Sequence, residues 1–231
     1  MPPITFAHRG GRAESPENTL DAFGRALKQG ARGLESDVRL SGDGEAVLVH
    51  GAHLRQGLRR LEVASTPAAR LAEAGIPRLA DLYATVGRDF ELSLDLKDPR
   101  AVEAILAAAR DADAVDRLWL CATDVEVLAG VRAADSEVRL VHSMGRRRYG
   151  DTLEPHAAAL ARQGVAALNL QEREWSAGLV ALTHRFGLAA FAWDVQETRR
   201  LRALLAMDID AVYSDHVDRM VAAVGEWTAG P

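Results

Sequence analysis

The 231-residue chain is short of several things, and each shortage removes a class of protein. It has a single cysteine, Cys121. That rules out an internal disulfide and fits a reducing compartment, so a cytoplasmic location is expected. It lacks an excess of basic charge: 28 Lys and Arg against 33 Asp and Glu leave a formal net charge of −5. This argues against a nucleic-acid partner and against a polybasic membrane anchor. Lysine occurs only at 28 and 97, and the remaining basic residues are arginine, which reads as coding bias. No apolar run is long enough to span a bilayer, so no transmembrane segment is expected. No basic start followed by an apolar stretch precedes Ile4, so no signal peptide is expected either. A glycine-rich dinucleotide fingerprint is also missing, since GGRAESPEN after the first apolar run is not one. The sequence is silent on oligomeric state.

What is present is enough for a sizeable core. The chain is 48% hydrophobic with no compositional sign of disorder, and its length suits one domain over residues 1–231. Strand-like runs begin at 4, 33, 46, 92, 117, 138, 165, 188 and 211. Helical spacing separates most of them, over 101–112, 125–133, 153–163, 177–186, 198–207 and 217–224, with shorter helices at 68–74 and 79–86. Asn18 is the expected N-cap of a first helix carrying Leu20, Phe23 and Leu27, with Asp21 as its capping-box partner. Strands alternating with helices call for parallel pairing through right-handed crossovers. The expected fold is α/β, a (β/α)8 barrel. Eight strands are needed and nine are available, so one candidate is a hairpin arm or a continuation of its neighbour. A doubly wound open sheet is the runner-up.

The densest chemistry lies in GLESDVRLSGDGEAVLVHG, residues 33–51. Glu35 and Asp37 sit two apart on a strand, so both point to one face, roughly 7 Å apart. Burying two like charges is costly unless a cation lies between them. Two hard oxygen ligands suit Mg²⁺ or Ca²⁺. The following run ends in His50, a proton carrier near neutral pH. SGDG is a turn signal. If it closes a hairpin, residue 35 falls opposite residue 50; if the strands are parallel, both ends still reach one mouth.

Barrel active sites occupy the C-terminal ends of the strands. Those ends bring His8 and Arg9, then Glu35, Asp37 and His50, then Asp95 and Lys97, with His142, Asn169, Gln171, Trp193, Asp194, Ser214 and Asp215 further on. Carboxylates, histidines and cations in one mouth suit phosphoryl chemistry, where positive charge offsets that on phosphate oxygens and histidines move protons. Asp95 and Lys97 also fit a plain ion pair. Cys121 reads as a buried small hydrophobe, and His53, His142, His156, His184 and His216 as structural.

Residues 7–51 resemble the N-terminal signature of the glycerophosphodiester phosphodiesterases, in HRG (8–10), PENT (16–19), the Glu35-x-Asp37 pair, DG (43–44) and the strand ending in His50. IPRLADL (76–82), LDLK (94–97), FAWDV (191–195) and DIDAVYSDHVD (208–218) resemble later segments of that family. The resemblance implies a phospholipase-C-like barrel, with His8 and His50 as the acid and base. Glu35, Asp37 and Asp95 would then hold a divalent metal, Arg9 and Lys97 would contact phosphate, and Trp193 would touch substrate. The implied substrate is a small glycerophosphodiester, cleaved to glycerol 3-phosphate and an alcohol. Two positions depart from the family pattern: Gly51 where it has Asp, and Asp95 where it has Glu. There the chain is similar to phosphoinositide phospholipases C and sphingomyelinase D-like phospholipases. A phospholipase D-like activity on lysophospholipids or sphingolipids is therefore the alternative, and a non-catalytic barrel that binds phosphorylated ligands a third reading.

Overall fold

The expected alternation resolves into a closed barrel. The protein is described by a computed structural model over residues 2–56, 59–145 and 153–230. In chain order, β1 (Ile4–His8) leads to α1 (Leu20–Lys28), β2 (Gly33–Leu40) and β3 (Ala46–Leu48). β4 (His53–Gln56), β5 (Arg59–Glu62), α2 (Ala68–Ala72) and α3 (Leu79–Val86) follow. Next come β6 (Glu91–Leu96), α4 (Val102–Asp111), β7 (Leu118–Ala122), α5 (Val125–Ala134), β8 (Arg139–Ser143) and α6 (Leu153–Arg162). The chain ends with β9 (Ala167–Gln171), α7 (Ala177–Arg185), β10 (Ala189–Trp193), α8 (Thr198–Leu205), β11 (Ala211–Ser214) and α9 (Val217–Ala229). The strands run β1-β11-β10-β9-β8-β7-β6-β2, and β1 pairs again with β2. Every one of these pairings is parallel. The open-sheet alternative fails because the two edges it needs bond to each other.

The surplus strand candidate is β3, which pairs antiparallel with β2 outside the barrel. Its register corrects the expectation that residue 35 faces residue 50. Val38 pairs with Leu48 and Leu40 with Ala46, one residue off that register. The cause is the turn. Ser41 N donates to Glu45 O, leaving three residues in the loop, with Gly44 at φ 87°. A loop closed by a glycine in the left-handed region holds one residue more than a tight two-residue turn. The β4–β5 hairpin was not expected at all, because HLRQ and RRLE carry no clear apolar alternation.

α1 starts one residue later than expected. Thr19 is its N-cap, accepting from Ala22 N. Asn18 has φ 57°, is 3% exposed, and accepts from Ser36 Oγ at 2.8 Å while its own N–H donates to Arg9 O. It thus ties the loop after β1 to β2. That loop turns out of β1 within two glycines: Gly10 has φ 81°, and a Cβ there would stand 2.8 Å from Ala22 Cβ.

The core has two shells. Outward residues such as Leu34, Leu94, Leu120, Leu140, Leu168 and Val212 pack against the helices. Inward residues Phe6, Trp119, Val141, Ala167, Phe191 and Ala211 fill the barrel interior. Alternation along each strand sorts the two sets. At the N-terminal end Glu91 accepts from Trp119 Nε1 and Arg139, so the far end of the barrel is stoppered by polar pairing.

Candidate active site

Above the apolar filling, the inward face turns polar at the C-terminal ends of the strands. A cavity of about 410 Å³ opens there, lined by His8, Arg9, Arg12, Glu35, Ser93, Asp95, Cys121, Ser143, Asn169, Trp193, Asp194 and Tyr213. Strand register explains the gathering. His8 pairs with Glu35 across β1 and β2, and Asp37 with Asp95 across β2 and β6.

The charged groups are paired one to another. His8 Nδ1 donates to Asp215 Oδ1 at 2.5 Å, and Arg12 Nε donates to Asp215 Oδ2 at 3.0 Å. The Arg9 backbone N–H donates to Glu35 Oε2 at 3.0 Å, and His8 Nε2 lies 3.7 Å from that oxygen. Arg9 Nε stands 2.9 Å from Asp37 Oδ2, and its NH1 donates to Glu17. Lys97 Nζ bridges Asp95 at 2.6 Å and Asp37 at 3.2 Å. The plain ion-pair reading of Asp95 and Lys97 therefore holds, with Asp37 as a third member.

This packing displaces the proton affinities. Burial drives Glu35 up to about 7, helped by Asp37 and opposed by His8. Burial also disfavours a charged His8, but Glu35 and the bond to Asp215 outweigh it and raise the imidazole. His50 moves the other way, lowered by burial against the pull of Asp37.

Of the residues predicted from sequence, His8, Arg9, Glu35, Asp95 and Trp193 line the cavity. Asp37 and Lys97 join through the ion pairs above. His50 is exposed and does not line the cavity; it stands within electrostatic reach of Asp37, Arg9 and Lys97. His142 is fully buried, and His156 Nε2 lies 3.4 Å from its Nδ1. Sequence reading gave no role to Asp215 or Arg12. The signal for Asp215 was its place just past β11, and its link to His8 appears only once β11 is known to lie beside β1.

Among the described residues, no three His, Cys, Asp or Glu side chains stand together as a ready metal cage. The donor chemistry nonetheless suits a hard cation. Glu35, Asp37 and Asp95 are all oxygen donors on one inward face, and Asp37 Oδ2, buried, has the Arg9 ion pair but no hydrogen bond. Glu35 is raised first by burial and then by Asp37, a cost that a bound cation would relieve.

Residues 8–219 match the profile of the glycerophosphoryl diester phosphodiesterase family. A glycerophosphodiester phosphodiesterase of Caldanaerobacter subterraneus is 23% identical over 97% of this chain and 98% of its own. The fold is close to that of the Thermotoga maritima glycerophosphodiester phosphodiesterase, with TM-score 0.83, 23% identity, and coverage of 95% of this chain and 97% of that one. It is equally close to an Oleispira antarctica phosphodiesterase in complex with the product sn-glycerol-3-phosphate, with TM-score 0.84, 23% identity and 97% of both chains covered. With a matching profile running from the first catalytic-candidate histidine into α9, the chain belongs to the glycerophosphoryl diester phosphodiesterase family.

Proposed function

We propose that the chain hydrolyses glycerophosphodiesters to glycerol 3-phosphate and an alcohol. The observation that carries this reading is His8, fixed through Nδ1 by Asp215, beside Arg9 and Glu35 in one cavity of a family barrel. A histidine whose Nδ1 donates to a carboxylate keeps Nε2 free for proton transfer to substrate. His8 is raised and His50 lowered, a split that fits His8 as the acid that protonates the leaving alcohol and His50 as the base. Arg9 and Lys97 draw the phosphate to the carboxylate-lined mouth and offset charge on its oxygens. A free 2-hydroxyl on the glycerol is a nucleophile already in place, so attack by it through a cyclic 1,2-phosphate is the favoured route. Glu35, Asp37 and Asp95 would hold Mg²⁺ or Ca²⁺. The ion would stabilise charge on the phosphoryl oxygens.

A second reading, phospholipase D-like action on lysophospholipids, is favoured only by Gly51 and Asp95. The test assays glycerophosphocholine, lysophosphatidylcholine and a chromogenic phosphodiester side by side, with Mg²⁺, with Ca²⁺ and with chelator. Turnover of glycerophosphocholine that chelation abolishes is expected, with a cyclic phosphate visible by phosphorus NMR. Glu35→Gln should weaken metal binding measured by calorimetry. Preference for lysophosphatidylcholine would install the second reading, and no turnover of any diester would leave a binding barrel. Full activity in chelator after dialysis would remove the metal.

A further inference from the structure

The wall of the cavity is divided. Strands β10, β11, β1, β2 and β6 bring charged groups to the mouth at or just past their ends: Asp194, Asp215, His8, Glu35, Asp37 and Asp95. Strands β7, β8 and β9 bring only neutral ones, Cys121, Ser143 and Asn169. Phosphate chemistry belongs to the charged arc and does not use the neutral one. Within the neutral arc, one group is incomplete. Asn169 is 6% exposed, and its Nδ2 donates to Ser143 Oγ at 3.2 Å across the β8–β9 register. Its Oδ1 is buried with no hydrogen-bond partner. Turning the amide end for end orphans the NH2 instead, so either way one end of this cavity-lining side chain is left unpaired. An orphaned buried polar group is costly, and nothing in the packing requires an amide there.

We propose that Asn169, held by Ser143, is a hydroxyl-recognition subsite for the glycerol half of the substrate. The argument rests on the proposed hydrolysis of glycerophosphodiesters and adds the residue that distinguishes glycerol from a plain alkyl group. An amide oxygen accepts from an alcohol O–H, and the Ser143 hydroxyl beside it both donates and accepts, a pairing suited to the terminal hydroxyl of glycerol. A substrate hydroxyl donating to that oxygen would complete its hydrogen bonding. A site built to hydrogen-bond a hydroxyl discriminates against an analogue lacking it, because the site's own polar group is then left unpaired.

The test is calorimetric binding of sn-glycerol 3-phosphate and of propyl phosphate to the full chain, with Mg²⁺ or Ca²⁺ present. The wild-type protein is expected to favour glycerol 3-phosphate by about tenfold. Asn169→Leu should erase that preference while leaving propyl phosphate binding unchanged. Ser143→Ala, a smaller change, should reduce the preference by about threefold through a looser amide. Equal binding of the two ligands by the wild-type protein would overturn the subsite. So would a preference retained in Asn169→Leu with an unchanged melting temperature. Binding is read without turnover, so a protein with the preference but no hydrolysis would refute the activity and keep the subsite.

Discussion

Asp215→Asn isolates what the second carboxylate does for His8. In the wild-type protein one carboxylate oxygen accepts from His8 Nδ1 at 2.5 Å and the other from Arg12 Nε at 3.0 Å. Arginine has donors only, so an asparagine must turn its carbonyl oxygen to Arg12. Its NH2 then faces His8 Nδ1. That nitrogen must become an acceptor, and the ring proton moves to Nε2. An imidazolium would place two donors against each other, so His8 can no longer hold its second proton near neutral pH. The loss is a charge-assisted hydrogen bond, about 1.5–3 kcal/mol, or about one to two pKa units. If His8 protonates the leaving alcohol, kcat on glycerophosphocholine should fall by roughly 10²–10⁴-fold.

Two readouts separate this from a structural effect. The alkaline limb of the pH–rate curve, set by loss of the His8 proton, should move to lower pH. A p-nitrophenyl diester, whose leaving group departs without protonation, should lose far less. Asp215 is then a positioning residue acting through His8. An equal loss on both substrates, or an unmoved alkaline limb, would refute the argument.

Replacing His8 or His50 by alanine should each lower kcat by roughly 10²–10⁴-fold, while His142→Ala should cost far less; steady-state kinetics of the three variants decide, and His142→Ala as damaging as His50→Ala would unseat the pair. Away from the site, Asp135 accepts from the N–H groups of Glu137 and Val138 and from Arg110. Burial alone would raise its carboxyl, but these bonds hold it below the usual range. A depressed carboxyl contributes stability above its unfolded value that is lost as pH falls through the folded one. Asp135→Ala should therefore cost about 1–2 kcal/mol at pH 7 in urea unfolding, and the gap to wild type should close below about pH 4.

The site was legible where charge stood against pattern. His8, Glu35, Asp37 and Asp95 interrupt or end apolar strands, and a barrel gives such residues one common destination. What the sequence concealed depends on partners far along the chain. Asp215 reaches His8 only because β11 closes on β1, a separation of 207 residues. The β2–β3 register hung on whether Gly44 or its neighbours formed the turn, and one residue decides which face each side chain takes. Helices were read within a few residues because capping and apolar spacing are local. The β4–β5 hairpin escaped because its residues face no core large enough to impose alternation.

The balance of charge in the mouth explains why the carboxylates are not equivalent. Asp37 has Arg9 and Lys97 against it, Asp95 has Lys97, and Asp215 has Arg12 and His8. Among the described residues Glu35 has an amide N–H and a histidine 3.7 Å away, and it is driven up to about 7. An added positive charge gains most where the existing compensation is weakest. Glu35 is thus the carboxylate at which the proposed ion would be held most strongly. Asp37 and Asp95 would share their oxygens between the ion and Lys97. That sharing would leave the lysine ammonium at the mouth, a second cation that its carboxylate partners hold without a metal.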